Sequence, residues 1–204
     1  VGQQLADGIL EHAPSVEFDL RLELAAAYRE LGAPDTALQV VMPAIELAKA
    51  TAGRASLEMA EALGAVAFVL SETGSYTEAV ERSREAFDIT DRLVGQYDES
   101  RLTAMLGLAA HLMPLGRFGE AEQLCRAVIS ARRRLGQDES VEFGFAQGRL
   151  AEALFGSGRA AEARRHYEIA LDVYERIRPD DLLTIAETKT NLATCLPPDL
   201  SLIH

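Results

Sequence analysis

The residues able to do chemistry are few, and their spacing does not suit it. Histidines stand at His12, His111, His166 and His204, and cysteines at Cys125 and Cys195. A zinc site needs ligand pairs a turn or a short loop apart, as in His-Glu-x-x-His or Cys-x-x-Cys, and the chain has neither. Two distant cysteines are no disulfide framework either, which predicts a reducing, cytoplasmic compartment. Gly156-Ser157-Gly158 has the composition of a phosphate loop. It follows a predicted helix rather than a strand, and it lacks both the Gly-x-Gly-x-x-Gly and the Gly-Lys-Ser/Thr context. No Gly-x-Ser-x-Gly elbow occurs. Carboxylates are plentiful but spaced as on helix surfaces. The expectation is a chain with no enzyme activity, no catalytic residue, no cofactor and no metal.

What the chain repeats is a scaffold. Glycines at Gly32, Gly74, Gly116 and Gly158 are each 42 residues apart, as are Ala37, Ala79, Ala121 and Ala163. A fixed period of this size is the mark of a repeat architecture. Seven residues before each turn glycine stands Ala25, Ala67, Ala109 or Ala151, and one residue earlier Leu24, Val66, Leu108 or Leu150. Twelve after it stands Ala44, Ala86, Val128 or Ala170. The alanines let helix backbones approach, and the larger residues fill the groove beside them. One hairpin leaves an apolar face that only the next repeat covers.

Each unit reads as two helices joined at the glycine, where φ must turn positive. The first pair spans about residues 16–31 and 35–51, with Ser15 as the expected N-cap and a kink at Pro43. The second spans about 57–73 and 77–94. The third spans about 100–113 and 119–135, with Pro114 bending or shortening the first helix. The fourth spans about 140–157 and 161–177. Helices over 1–11 and 182–196 flank the array, Pro197-Pro198 stops it, and 197–204 is a tail. No stretch alternates as a half-buried strand does. The expected fold is therefore all-α, an α-solenoid of antiparallel helix pairs over residues 1–196 as one domain, with repeats at about 16–52, 57–94, 99–135 and 140–177.

Charge narrows the partners. The net charge is −12, which excludes nucleic acid as the main partner, since phosphate binding needs clustered Lys and Arg. The charge is uneven: residues 1–100 carry a net of −11 and residues 101–204 a net of −1. The second half holds Arg126, Arg132, Arg133, Arg134, Arg164 and Arg165 on predicted second helices. They form either a solvated face or a basic patch for an acidic partner. No apolar run is long enough to span a bilayer, so no membrane partner is expected. The chain starts in mid-register without Met, so further domains of the same polypeptide are expected. Arg outnumbers Lys 18 to 2, which suggests a GC-rich bacterial genome.

The pattern resembles the tetratricopeptide repeat: Val66-Ala67, Leu70, Gly74-Ser75-Tyr76, Ala79 and Ala86-Phe87 follow that family's signature. The 42-residue period, and Leu135-Gly-Gln-Asp-Glu-Ser140 between repeats, resemble the kinesin-light-chain-like subtype, although the His-Pro of its linker is missing. The resemblance implies a right-handed superhelix with the first helices lining a concave groove. It also implies groove-facing positions 13, 10, 9, 6 and 3 residues before each turn glycine. Carried onto this chain, these give Asp19, Glu23, Arg29, Glu61, Phe68, Met113, Phe145, Arg149, Glu152 and Phe155 as groove-binding residues. The Lys and Asn set with which some relatives hold a peptide carboxylate is missing. An extended or helical segment with apolar anchors is expected instead.

Two questions stay open at this level. Phe68, Met113, Phe145 and Phe155 could be ligand anchors or inter-repeat core. Gly64, Gly107 and Gly148, inside helices, could serve close packing or leave room in the groove, at about 1 kcal/mol each against Ala. Cys125, His111 and Cys195 fall at core positions. The functional expectation is a protein-binding scaffold that takes a protein or peptide segment, within a larger bacterial regulator. Alternatives are a peptide-sensing domain that changes curvature on binding, or accessory repeats of an enzyme whose catalytic domain lies elsewhere.

Overall fold

The computed structural model describes residues 13–195. The expected first helix over 1–11, the stop at Pro197-Pro198 and the tail lie outside the described residues. Within them the chain is helical throughout, with no strand. It divides into two compact units, Val1–His111 and Leu112–His204.

The first unit contains α1 (Pro14–Glu30), α2 (Pro34–Val41), α3 (Pro43–Thr51), α4 (Leu57–Glu72) and α5 (Tyr76–Leu93). It also contains α6 (Glu99–Leu112) up to its last residue. Two apolar clusters hold it together. Phe18 of α1 meets Ala44 and Ala48 of α3, Met59 and Leu63 of α4, and Ile89 of α5. Ala25 of α1 meets Val41 of α2 and Val66, Val69 and Leu70 of α4. Ala25, Ala37, Ala44, Ala67, Ala79 and Ala86 are all buried, as their period requires. Each fully buried Leu or Val contributes about 1.5–3 kcal/mol relative to exposure.

The second unit opens with a 3-10 turn, Met113–Leu115, followed by α7 (Phe118–Arg134), α8 (Val141–Gly156), α9 (Ala160–Ile177) and α10 (Leu182–Thr194). Its core is Ala121, Cys125 and Val128 of α7, Ala146, Leu150 and Leu154 of α8, and Ala163, Tyr167 and Val173 of α9. Tyr174 and Ala170 of α9 then meet Ile185 of α10.

The four spaced glycines share one geometry. Their φ values are +70° at Gly32, +82° at Gly74, +70° at Gly116 and +78° at Gly158. In each case the glycine N–H reaches the carbonyl three residues back, and the next N–H reaches the carbonyl five back. Those second bonds are Ala33 to Tyr28 (2.9 Å), Ser75 to Leu70 (2.8 Å), Arg117 to Leu112 (3.1 Å) and Arg159 to Leu154 (2.9 Å). This is the Schellman closure, which satisfies carbonyls that a helix end leaves open. The residue four before each glycine thus supplies both a side chain to the repeat pattern and the terminal acceptor.

Prolines account for the departures from expectation. Ser15 does not cap α1: Ala13 takes the N-cap position without a side-chain bond, and Pro14 begins the helix. Proline costs nothing there, because the first N–H of a helix has no intrahelical partner. Side-chain caps come from Ser56 to Met59 N–H and from Ser140 to Phe143 N–H, both 3.1 Å, and from Asp181 to Thr184 N–H. The helix expected to run to Thr51 with a kink is instead two helices meeting at Met42, since Pro43 has no N–H to continue the ladder. Pro114 ends α6 at Leu112 and tightens the next three residues into the 3-10 turn.

The glycines inside helices fall into two kinds. A Cβ on Gly64 or Gly148 would meet nothing within 4 Å, and one on Gly107 would meet only Phe68 Cε2 at 3.9 Å. These positions leave room and do not serve close packing. Gly144 and Gly156 do: a Cβ there would lie 2.8 Å from Tyr174 Cε1 and 2.3 Å from Phe118 Cε1. Among the described residues, no helix is long and apolar enough to cross a membrane.

Candidate functional site

In the first unit the named residues lie on α1 and α4, the first helices of their pairs. Asp19, Glu23 and Glu61 are exposed. The Glu61 carboxyl, partly desolvated although the residue as a whole is exposed, is raised above its ordinary range by that partial burial, then by the neighbouring charges of Asp19 and Glu58. Arg29 is fixed by a two-pronged bond to Glu72, at 2.9 and 2.6 Å. Its guanidinium lies 5.3 Å from the Phe68 ring centre. Phe68 remains 39% exposed, and its ring meets His111 edge-on at 4.9 Å. His111 is buried, with Nδ1 2.5 Å from the Ser83 hydroxyl. A charged fork, an open aromatic face and a buried polar support thus succeed one another from Glu72 to Ser83.

In the second unit Phe145 and Phe155 on α8 are 44% and 42% exposed. Phe145 leans edge-on against the buried Tyr174 at 5.7 Å. Arg149, one turn along the same helix, is half-buried and bonds Glu152 at 2.8 Å. Met113 sits half-buried in the 3-10 turn. Phe68 and Phe145 therefore have one side packed and one side open, and Phe155 is exposed to a similar degree, whereas Met113 lies mostly within the fold.

The groups with potential reactivity are structural. Cys125 is fully buried, and burial pushes its thiol up to about 12, so it is no nucleophile at neutral pH. Cys195 is buried too, and its thiol is likewise raised by burial. Gly156-Ser157-Gly158 is the C-terminal end of α8, with the Ser157 hydroxyl donating to the Ala153 carbonyl. Carbonyls and the negative end of the helix dipole gather there, the wrong polarity for a phosphate. No cluster of three or more His, Cys, Asp or Glu suited to a metal occurs among the described residues.

Sequence reasoning missed two partners in these arrangements. Glu72 follows Arg29 by 43 residues, one period plus one, and that spacing was the available signal. Tyr174 supports Phe145 across 29 residues, with no periodic counterpart to announce it.

The sequence model of the tetratricopeptide repeat family matches residues 59–100 and 146–181. No curated protein matches the sequence. Among solved structures, the chain is similar to a Podosopora anserina protein described as a kinesin light chain with nearly identical TPR-like repeats. Identity is 20%, over 89% of this chain and 86% of that one, with a TM-score of 0.73. It is also similar to BtubC (BKLC) from P. vanneervenii, with 18% identity over 95% of this chain and 78% of that one, and a TM-score of 0.76. Repeats of this family are generally protein–protein interaction scaffolds, a non-catalytic fold type that typically binds proteins or peptides. The two matched segments fall in the second and fourth copies of the 42-residue unit built above, so these stretches match the tetratricopeptide repeat and the fold is that of the kinesin-light-chain-like repeat structures.

Proposed function

We propose that this chain is a scaffold that captures a protein or peptide segment on the faces of its first helices, within a larger bacterial regulatory protein of the cytoplasm. The observation that carries the reading is the half-open state of Phe68, Phe145 and Phe155, at 39%, 44% and 42% exposure. Large aromatics on helices make good anchors, and where one side is already packed, as at Phe68 and Phe145, little side-chain freedom remains to be lost on binding. Each stands beside a fixed charge, Arg29 with Glu72 or Arg149 with Glu152, able to orient a segment's polar groups. Asp19, Glu23 and Glu61 add an acidic approach in the first unit and favour basic flanks on the ligand. Met113 contributes apolar surface rather than an anchor. Two unpaired, buried thiols agree with a reducing compartment.

Selection from a displayed random-peptide library on the immobilised chain tests the reading. Recovered peptides should carry apolar anchors, and their affinity should fall at least tenfold in Phe145→Ser/Phe155→Ser or Phe68→Ser variants of unchanged thermal stability. Peptides that bind all three proteins alike would overturn it.

A further inference from the structure

The second unit contains a cleft of about 390 Å³ on the side of α8 away from Phe145. Gln147 and Leu150 of α8 lie at its base, Arg126, Ser130, Arg133 and Arg134 of α7 form one wall, and His166 of α9 forms the other. At 100° per residue, positions 147 and 150 fall roughly opposite 145, 149 and 152 on the helix. The peptide-binding reading therefore makes no use of this cleft.

Gln147 is the unusual member. It is fully buried, at 0% exposure. Its Oε1 lies 2.7 Å from His166 Nδ1, and its Nε2 is buried without a hydrogen-bond partner. An orphaned buried donor costs about 1–3 kcal/mol, and native folds keep few of them. The walls add cationic donors. Arg133 is held over the Phe143 ring at 5.6 Å. Arg126 bonds Glu122 at 2.8 Å, but Arg159 bonds the same carboxylate and also takes Glu162. Arg126 thus shares its one carboxylate partner with Arg159. The His166 imidazole is held below its ordinary range by burial, then by the nearby charges of Arg126 and Arg133, against the opposing pull of Glu162.

We propose that this cleft binds a phosphoryl dianion, as inorganic phosphate or as a small-molecule phosphate monoester, with Gln147 Nε2 and the guanidiniums of Arg126 and Arg133 as its donors. Donors from two helices approach from different directions, which suits a tetrahedral oxyanion better than a planar carboxylate. The volume exceeds that of a phosphate ion and leaves space for an ester group. The net charge of −12 on the whole chain makes the site local, a cationic recess in an acidic protein.

The test is nuclear magnetic resonance of the 204-residue chain titrated with inorganic phosphate, with glycerol 3-phosphate, and with acetate at matched ionic strength. Phosphate or the ester should shift the Gln147 side-chain amide saturably and move the His166 titration midpoint upward. Tighter binding of the ester assigns the ester as ligand, and equal binding assigns the free ion. Gln147→Leu and Arg126→Gln should each weaken binding at least tenfold. The second replaces an exposed side chain and keeps the test open if the first fails to fold. A linear, non-saturating response, acetate binding as tightly as phosphate, or affinity unchanged in a folded variant would each overturn the proposal. None of these outcomes bears on peptide capture at Phe145 and Phe155.

Discussion

The Phe118 ring at the start of α7 lies against the bare backbone of Gly156 at the end of α8, where an added Cβ would approach it to 2.3 Å. The relationship makes Gly156 a packing residue, although it stands in a turn sequence that suggests otherwise. Gly156→Ala should displace the ring and destabilise the chain by about 1–2 kcal/mol, the ordinary cost of overpacking. A double-mutant cycle in chemical denaturation checks the cause. In a Phe118→Ala background the same change should be neutral or stabilising, and an undiminished cost there would place the strain elsewhere.

Gly64 and Gly148 should behave in the opposite way. Both lie inside helices with nothing within 4 Å of a prospective Cβ. Gly64→Ala and Gly148→Ala should each stabilise by up to about 1 kcal/mol, the propensity difference between the two residues. Melting temperatures that fall in either variant would contradict the open space described around these positions.

Gly116→Val imposes a β-branched side chain at φ +70°. The left-handed region costs an L-residue roughly 1–2 kcal/mol, and more for a branched one. Thermal unfolding of this variant should occur well below that of the parent. Gly119→Ala, three residues on, lies in helical backbone with no neighbour within 4 Å and should leave the transition unmoved or slightly higher.

Burial of Cys125 has a pH signature. Its thiol is raised from 9.0 to about 12 in the fold, so the folded state holds the proton more tightly than the unfolded one. That linkage contributes stability in full below pH 9, and the contribution declines as pH rises from about 9 to about 12. Tyr167 and Tyr174, also raised by burial, add losses of the same sign at higher pH. Denaturation followed from about pH 8 to about pH 10 should show a falling midpoint, with a shallower fall in Cys125→Ala. Ellman's reagent should leave Cys125 unmodified in the native chain at about pH 8, and rapid labelling would contradict its burial.

The turns and the helix pairs were legible because their causes are local. A glycine that must adopt positive φ announces itself, and four of them in register fix where each hairpin reverses. Alanine and leucine at fixed offsets show which face packs. Helix ends fell within about two residues of expectation for the same reason. Ser15 misled because a serine beside a proline offers two N-caps, and proline's indifference to the first N–H decided for Ala13. Gly144 and Gly156 could not be read, because their neighbours Tyr174 and Phe118 lie 30 and 38 residues away at no repeated interval. The openness of Phe68, Phe145 and Phe155 was a matter of register carried over from the family, and it became visible only as exposure. Gln147 and His166 escaped notice because each is ordinary alone.

The Schellman closures have a kinetic corollary. Each completes its hairpin turn with hydrogen bonds spanning six residues or fewer, so the loop-closure entropy of the first native contacts is small. Chains built from such low-contact-order units fold quickly and can nucleate at any hairpin. Amide exchange should accordingly rise in steps along the sequence, one step per hairpin, rather than through a single global opening.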